Sequence, residues 1–546
     1  MKNKLHKTLC VSVALVACSM ACSALPDIRP GDVCANASAA KVDPWVLETT
    51  NSTFDEPFLL WNGKVGYRIN PIGEVVSSMR ITDYEQTGKE KIKNTKYDLK
   101  SSEKVRGDYR AALDMRTGEV TLKFNGQTKT IALNPGATAL SEKSTQRYDD
   151  VDIEIDGPIE DQQAVRSFMF YLRTAIDPSA NMSISPFALS NTKYNGHIFW
   201  DADTWVFPAL VFIDPEKAKA ILDYRRIKGP QSGSDQSVPY PWESSVSGKE
   251  VAPGHTKDEI HIWGDVAWAQ HQGEALGIVK DSQSIIELVG KAYQRRATSP
   301  KASSSKQDAN YLELKGVVSP DENHLDTNND LFTNLLAQWA MNGGNFEGKY
   351  KFKLPKDKTT FLTYDDDALR RYKQTAALLA IYPLQYPPAE EQAKAMMDRF
   401  GDKVIKSGPA MSDSIHALIW ARLGKREKAY STWLKSWKPF LHAPFLQFSE
   451  KRDLKRSYFT TGPAGSLQTV LYGFLGIRLD NRQAPGAAWS KQLPNGDWLS
   501  IKPNLPPAWK SVKFVGFHFL GKRYTLTVTH TSVQMIPLSS NSPKNP

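Results

Sequence analysis

Acidic and amide side chains crowd one short segment of the sequence, "GVVSPDENHLDTNND". Asp321, Glu322 and His324 stand there just before "LFTNLLAQWAM", whose apolar spacing is that of an amphipathic helix. Three interpretations fit the segment: a solvated loop in which Asp321 caps the helix, a metal site, or a carboxyl group at Glu322 that protonates a leaving group. The segment alone leaves all three open.

Tryptophans next to carboxylates form a second pattern. Trp200 and Asp201 precede an apolar run in "YNGHIFWDADTWVFPALVF", and Trp242 and Glu243 repeat the combination in "YPWESSVSGKE". Indole faces stack on the apolar faces of sugar rings, while carboxylates accept hydrogen bonds from hydroxyls. A capped helix with buried tryptophans is the alternative. The repetition favours a pocket lined by polar and aromatic groups.

Cleavage of a glycosidic bond generally requires two carboxyl groups that flank it. Glu450, in "PFLQFSEKRDLKRS", is the candidate for the second group, because it follows an apolar run and precedes a glycine-containing helix entry. A solvent-facing loop acid beside Lys451 and Arg452 is the alternative for this position.

Metal and nucleic-acid chemistry are disfavoured. His197, His261 and His324 show none of the short histidine spacings used by metal-binding helices, so neither a metal nor another cofactor is expected. The net charge of +10 would permit binding to nucleic acid, but the basic residues are spread along the 546-residue chain. We therefore expect no nucleic-acid partner.

The N-terminus has the pattern of an export signal: a basic start, a short apolar stretch and small residues. We predict a signal peptide over residues 1–24, and hence a periplasmic or cell-surface protein. Leu15–Cys18, "LVAC", resembles a lipoprotein cleavage box with Cys18 as the lipid-anchored residue; an ordinary cut near Ala24 is the alternative. All four cysteines lie within the first 34 residues, so the body has no disulfide framework.

The elements that must position these side chains change in type along the chain. Residues 25–44 form a polar tether, and the short alternating segments of residues 45–157 predict an N-terminal β-sandwich. Helical periodicity over residues 158–478 predicts a helical toroid whose loops carry the chemistry, and residues 479–546 return to strand patterns. One predicted helix is "DDALRRYKQTAALLAIY".

Several of these motifs together resemble glycoside hydrolase family 65. The matching pieces include "NGHIFWDADTW", "YPWESSVSGKE", "SPDENHLD", "RYKQTAALLAIYPL" and "TTGPAGSLQTVLYGFLGIRL", in family order between about Val151 and Leu479. The family contains α-glucoside phosphorylases and hydrolases such as acid trehalase and protein-glucosylgalactosylhydroxylysine glucosidase. The resemblance implies an N-terminal β-sandwich, a linker helix, an (α/α)6 barrel and a small C-terminal β-sheet domain.

The resemblance also implies roles for individual residues. Glu322 would be the general acid and Glu450 the general base of an inverting hydrolase. The stretch "SYFTTGPAGSLQ" lacks the histidine with which family phosphorylases hold phosphate, and a carboxylate at Glu450 would repel that anion. Six further residues would contact the glucose or line its pocket: Trp200, Asp201, Trp242, Glu243, Lys373 and Gln374.

Three departures from the family pattern bear on the substrate. Asn323 replaces a tyrosine, Ala376 replaces an aspartate, and the β-sandwich is short.

The expected function is an exported hydrolase that releases glucose from small α-glucosyl disaccharides or oligosaccharides, with α-1,2 linkages such as kojibiose or glucosyl-galactose favoured. A family 65 phosphorylase and a surface lipoprotein that binds glycans without cleaving them are the alternatives. Linkage and oligomeric state stay open.

Overall fold

A computed structural model describes the chain in eight segments: residues 42–84, 105–229, 238–299, 311–368, 370–386, 389–452, 454–455 and 457–539. The predicted signal peptide, the lipid-anchor position Cys18 and nearly all of the tether lie outside these segments. Pro44–Pro546 form one compact unit, to which all the elements below belong. In the described segments, no helix has both the length and the apolar character that a bilayer crossing needs.

The N-terminal strands form two antiparallel sheets with the orders β1-β5-β6-β7 and β2-β3-β4. The strands are β1 Val46–Thr49, β2 Phe58–Trp61, β3 Val65–Ile69, β4 Val75–Arg80, β5 Arg110–Asp114, β6 Glu119–Phe124 and β7 Gln127–Ile131. In β5 and β6 every second side chain is buried, because successive residues of a strand face opposite sides of the sheet. The predicted strands are confirmed, and their packing as a sandwich stays a prediction.

A third sheet combines one strand that precedes the helices with three strands that follow them. Its strands are β8 Asp152–Asp156, β14 Ser511–Phe519, β15 Lys522–Thr529 and β16 Val533–Pro537, in the order β16-β15-β14-β8. Ile153 lies opposite Phe514, and both are buried. Strand β8, which the sequence predicts as part of the N-terminal sandwich, pairs along its edge with β14 of the C-terminal sheet instead. A separate three-stranded sheet contains β11 Ile477–Asp480, β12 Trp489–Gln492 and β13 Trp498–Ile501.

The middle of the chain is helical, as the periodicity predicts. The helices are α1 Ile159–Thr174, α2 Phe207–Leu210, α3 Pro215–Lys228, α4 His261–Ala275, α5 Gln283–Arg296, α6 Leu331–Met341, α7 Ala376–Ile381, α8 Glu390–Phe400, α9 Ser412–Arg422, α10 Arg426–Trp437 and α11 Thr461–Gln468. A π-helical turn, Asp201–Val206, leads into α2, and a second one, Thr469–Phe474, continues α11. A short hairpin of β9 Leu441–His442 and β10 Gln447–Phe448 precedes α11.

Consecutive helices pack on one another from α2 to α11, and α11 returns to pack on both α1 and α2. Helix α1 is buried on almost all sides. The carboxylate of Asp161 in α1 accepts hydrogen bonds of 2.8 Å from the indole of Trp509 and from the hydroxyl of Tyr430. This carboxylate therefore ties α1 to both α10 and the C-terminal region.

The helix predicted for "DDALRRYKQTAALLAIY" is wrong over its first half, because α7 begins only at Ala376. Tyr372 forms a parallel bridge with Val404, accepting from and donating to that neighbouring segment through its backbone. Its hydroxyl also donates to Asp367 at 2.6 Å. These contacts hold Lys373 in a bend ahead of the helix rather than on a helix surface.

A buried ion pair joins the π-helical turn to α3. The guanidinium of Arg225 donates to the carboxylate of Asp203 at 2.7 Å, and both side chains are almost completely buried. Removing one partner of such a pair leaves an uncompensated charge in the interior.

We therefore expect Asp203→Ala to lower the free energy of unfolding by about 3–5 kcal/mol, measured by urea denaturation. The matched control is Asp223→Ala, which breaks an exposed pair with Lys219 and should cost about 1 kcal/mol or less. Equal losses in the two variants would contradict this account of the pair.

Candidate active site

One cavity of about 70 Å³ collects side chains from distant parts of the chain. It is lined by Pro186, Tyr194, Phe199, Trp200, Asp201, Trp242, Glu322, Lys373, Pro409, Met411, Glu450 and Phe459. Six of the eight residues that the sequence analysis selected are among them. The cavity thus combines three carboxyl groups, one ammonium group and an aromatic wall.

The acidic segment that opens the sequence analysis is held by two different aspartates. Asp330, not Asp321, caps α6, accepting a hydrogen bond of 2.9 Å from the backbone N–H of Thr333. Asp321 is fully buried; it accepts from the backbone N–H of Lys373 at 3.0 Å and pairs with the ring of His324 at 2.9 Å. The capping interpretation of Asp321 is therefore wrong, and its carboxylate fixes this turn to the Lys373 segment.

Glu322, next in the same turn, points into the cavity and forms an ion pair with Lys373. The Lys373 Nζ lies 2.6 Å from Glu322 Oε1, and the Glu322 side chain is 39% exposed. Burial disfavours the charge on Lys373, but the carboxyl groups of Glu322, Glu259 and Asp201 outweigh it and raise the pKa of the lysine. Lys373 therefore stays an ammonium among three acids.

Glu450 comes much later in the chain than Glu322, and its side chain is almost completely buried. The ammonium of Lys193 donates to its Oε2, and the hydroxyl of Tyr194 donates to its Oε1 at 3.1 Å. Its backbone carbonyl accepts from Ala410 N–H at 2.9 Å. The alternative of a solvent-facing loop acid is therefore wrong, since Glu450 is buried in the cavity wall.

Asp201 is the third acid of the cavity and begins the π-helical turn. The hydroxyl of Thr461, at the start of α11, donates to its carboxyl group. Burial, together with the nearby charge of Glu322, raises the pKa of Asp201 to about 6. Asp203, two residues further on, is occupied by Arg225 and does not line the cavity.

Aromatic rings form one wall of the cavity. Trp200 and Trp242 lie 6.4 Å apart between ring centroids, and Phe199 meets Trp242 edge-on at 6.0 Å. Behind them the ring of His261 contacts Trp200 at 4.9 Å and Trp242 at 5.3 Å. Such planar apolar faces next to carboxylates suit a ligand that has both apolar faces and hydroxyl groups, as sugars do.

His261 is itself held by two buried carboxyl groups. Its Nδ1 lies 2.6 Å from Asp265 and its Nε2 lies 3.3 Å from Glu259. Burial opposes protonation of the ring, but the two acids outweigh it and raise the pKa of His261 to about 10. Burial also raises the pKa of Glu259 to about 8. His261, Asp265 and Glu259 together support Trp200 and Trp242 on the side of the rings away from the cavity.

Two predicted site residues are not among those that line the cavity in the described structure. Glu243 Oε1 pairs with His197 Nδ1 at 2.5 Å, so it supports the wall next to Trp242. Gln374 is buried, and its Nε2 has no hydrogen-bond partner within the described ranges. Glu250 organises the loop by accepting from Trp242 N–H at 2.7 Å.

Part of the site was not predicted from the sequence. Tyr194 and Phe199 both precede the Trp200–Asp201 motif, and their presence in that stretch was the available signal. No sequence pattern marked Lys193 as a site residue, because lysines are common in exposed loops. The remaining lining residues carry apolar side chains that no local pattern distinguishes from core residues: Pro186, Pro409, Met411 and Phe459.

Two family models match the chain. Residues 166–347 match the Glycosyl hydrolase family 65 central catalytic domain, and residues 494–544 match the Glycosyl hydrolase family 65, C-terminal domain. The first match contains the tryptophan–acid motifs and Glu322.

Similar proteins extend the comparison. A kojibiose hydrolase of Flavobacterium johnsoniae is 29% identical over 72% of this chain and 60% of its own length. A protein-glucosylgalactosylhydroxylysine glucosidase of Gallus gallus is 27% identical over 70% of this chain and 57% of its own. This chain thus spans somewhat more than half the length of these relatives.

A solved structure shares the fold. It is described as a kojibiose phosphorylase from the human microbiome, with a TM-score of 0.65 and 14% sequence identity. The match covers 92% of this chain and 96% of that one.

The raised pKa of Asp201 predicts a pH-dependent stability. A carboxyl group with a folded pKa of about 6 contributes stability below its unfolded pKa, and this contribution is lost as the pH rises through 6. We expect Asp201→Asn, which cannot ionise, to gain about 2–3 kcal/mol over the wild type between pH 4 and pH 7. Urea denaturation at both pH values measures the difference.

The control for this prediction is Asp223→Asn on the surface of α3, which should follow the wild type at both pH values. A constant difference between Asp201→Asn and the wild type across this range would show that Asp201 does not carry the effect.

Proposed function

This chain contains the central catalytic and C-terminal domains of glycosyl hydrolase family 65, and from that premise we propose that it is an exported, inverting α-glucoside hydrolase. It releases glucose from the non-reducing end of small α-glucosides, with α-1,2-linked substrates such as kojibiose or glucosyl-galactose favoured. One observation carries the proposal: Glu322 and Glu450, far apart in sequence, line a single cavity with an aromatic wall.

Glu322 acts as the general acid. Its carboxyl group lines the cavity and is partly exposed. Lys373 forms an ion pair with it. As the general acid, Glu322 donates a proton to the departing glycosidic oxygen, while the Lys373 ammonium can donate hydrogen bonds to hydroxyls of the bound glucosyl unit.

Glu450 acts as the general base. It is buried and accepts hydrogen bonds from two donors, Lys193 and Tyr194. An ionised carboxylate can take a proton from water while that water attacks the anomeric carbon from the face opposite the leaving group. This arrangement inverts the configuration of the released glucose.

The rest of the cavity binds the glucosyl unit. Trp200 and Trp242 offer ring faces, and Asp201 offers a carboxyl group to sugar hydroxyls. Similarity to two kojibiose hydrolases supports α-1,2-linked substrates. The return of α11 onto α1 and α2 supports an (α/α)6 barrel around the site. Export rests on the N-terminal signal pattern.

The requirement for phosphate separates hydrolysis from phosphorolysis. We expect the purified protein to release glucose from kojibiose at the same rate with and without inorganic phosphate, because the Glu450 carboxylate repels the anion. Chromatography of the products measures both glucose and glucose 1-phosphate. Release that requires phosphate, with glucose 1-phosphate as product, would replace the hydrolase with a phosphorylase. Binding of α-glucosides without any release would indicate a glycan-binding protein.

Both glutamates should be indispensable. We expect Glu322→Gln and Glu450→Gln each to lower kcat by about a hundredfold to ten-thousandfold, since each removes one proton-transfer group while keeping its shape. Circular dichroism checks the fold, and the control Glu154→Gln, in an exposed pair with Lys513, should retain wild-type kcat. Near-full activity of Glu450→Gln would show that another group is the base.

A further inference from the structure

We propose that Lys193 and Tyr194 are positioning residues that orient the Glu450 carboxylate toward the attacking water, with Lys193 placing a positive charge beside it. This inference rests on the proposed function, because it assigns Glu450 the role of base. Neither residue was selected from the sequence. The proposal stands on how the two side chains meet Glu450 and on the backbone turn that brings them there.

The two donors bind different oxygens of the same carboxylate. Lys193 donates to Oε2, while the Tyr194 hydroxyl donates to Oε1 at 3.1 Å. Because each oxygen has its own donor, the orientation of the carboxylate plane is fixed. A carboxylate accepts about four hydrogen bonds, so these two leave acceptor positions for a water molecule on the cavity side. Tyr194 and Glu450 both line the cavity, which places the fixed carboxylate where a reacting water can enter.

The turn that presents these donors has an unusual backbone. Tyr194, Asn195 and Gly196 all have positive φ angles, of 57°, 51° and 72°. Residues with side chains rarely adopt this region, and consecutive examples persist only where the surroundings enforce them. Such backbone conformations concentrate at functional sites, so the observed turn supports a role for the side chains that it presents.

Close packing enforces the turn. A Cβ on Gly196 would lie 2.3 Å from the ring of Tyr84, so only glycine fits there. The Tyr194 ring lies between Phe187 and Phe199, at centroid distances of 5.7 and 5.4 Å. The ammonium of Lys193 also lies 4.9 Å from the Phe187 ring. The turn therefore holds both donors in one geometry.

The charges around Glu450 explain why a base needs these donors. Asp201 and Glu322 contribute negative charge to the same cavity, and Lys373 is already engaged with Glu322. A third carboxylate in this cavity is repelled by these acids. Lys193 supplies the opposing charge. Burial, together with the nearby charge of Glu450, raises the pKa of the Tyr194 hydroxyl, which therefore remains a donor.

A purely structural salt bridge is the competing interpretation, and the pH dependence of kcat distinguishes the two. Lys193→Met removes the charge, so the acidic limb of the kcat–pH profile should move to higher pH by on the order of 1 unit. Lys193→Arg keeps the charge and should keep the wild-type limb. A structural role alone would lower the amount of folded protein without moving the limb.

Tyr194→Phe tests orientation separately. Loss of a hydrogen bond to a charged group should lower kcat about tenfold while KM changes by no more than about twofold. Two control variants should leave both the limb and kcat unchanged. Lys219→Met removes an exposed lysine from its pair with Asp223, and Tyr67→Phe removes a surface hydroxyl that donates to the Thr138 carbonyl.

The experiment measures kcat and KM from pH 4 to pH 9 on a disaccharide that the wild type hydrolyses. The positioning role is overturned if the acidic limb of the kcat–pH profile of Lys193→Met lies at the same pH as in the wild type. It is also overturned if Tyr194→Phe raises KM without lowering kcat. Should Lys193→Met fail to fold, Lys193→Gln takes its place. Failure of the proposed function is a separate result: an inactive wild type, or an active Glu450→Gln variant.

Discussion

Three carboxyl groups share one small cavity in this protein, and the ammonium groups that oppose their charge determine how the site can work. Asp201, Glu322 and Glu450 line the same walls, where the surrounding protein screens charges less than water does. Neighbouring carboxylates raise one another's affinity for protons. Lys373 pairs with Glu322 and Lys193 with Glu450, so each of the two glutamates faces one ammonium group.

The fold serves this balance by anchoring the charged side chains through their neighbours. Asp321 accepts from the backbone N–H of Lys373, so the turn that carries Glu322 and the segment that carries its partner are tied together. Thr461 donates to Asp201 from the start of α11. The π-helical turn that begins at Asp201 fits the tendency of such turns to occur at functional sites. Asp201 is thus held by a residue that does not line the cavity, and Glu322 lies in a turn that is anchored through Asp321.

Local sequence patterns predicted much of this arrangement. Apolar spacing located most of the helices, and the tryptophan–acid motifs located the aromatic wall. The errors concern long-range contacts. The stretch before Ala376 has a helical pattern, but bridging between Tyr372 and Val404 prevents the helix. Strand β8 alternates like the N-terminal strands, yet its partner is β14, far along the chain.

The site shows the same limit. Asp321 and Asp330 both precede α6, and only the folded turn decides that Asp330 caps the helix. Lys193 has the sequence context of an ordinary loop lysine, and its role follows from a contact with Glu450 that no local spacing encodes. Pairing between distant charges is therefore the part of the site that only the structure reveals.

The most direct test of two glutamates acting across one glucosyl unit is the configuration of the first product. Proton NMR during the early turnover of an α-1,2-linked glucosyl-galactose, in which glucose comes only from the non-reducing end, distinguishes the two anomers of the released glucose before mutarotation. Attack by water activated at Glu450, opposite the bond protonated by Glu322, predicts β-glucose as the first product. Initial release of α-glucose would contradict this account.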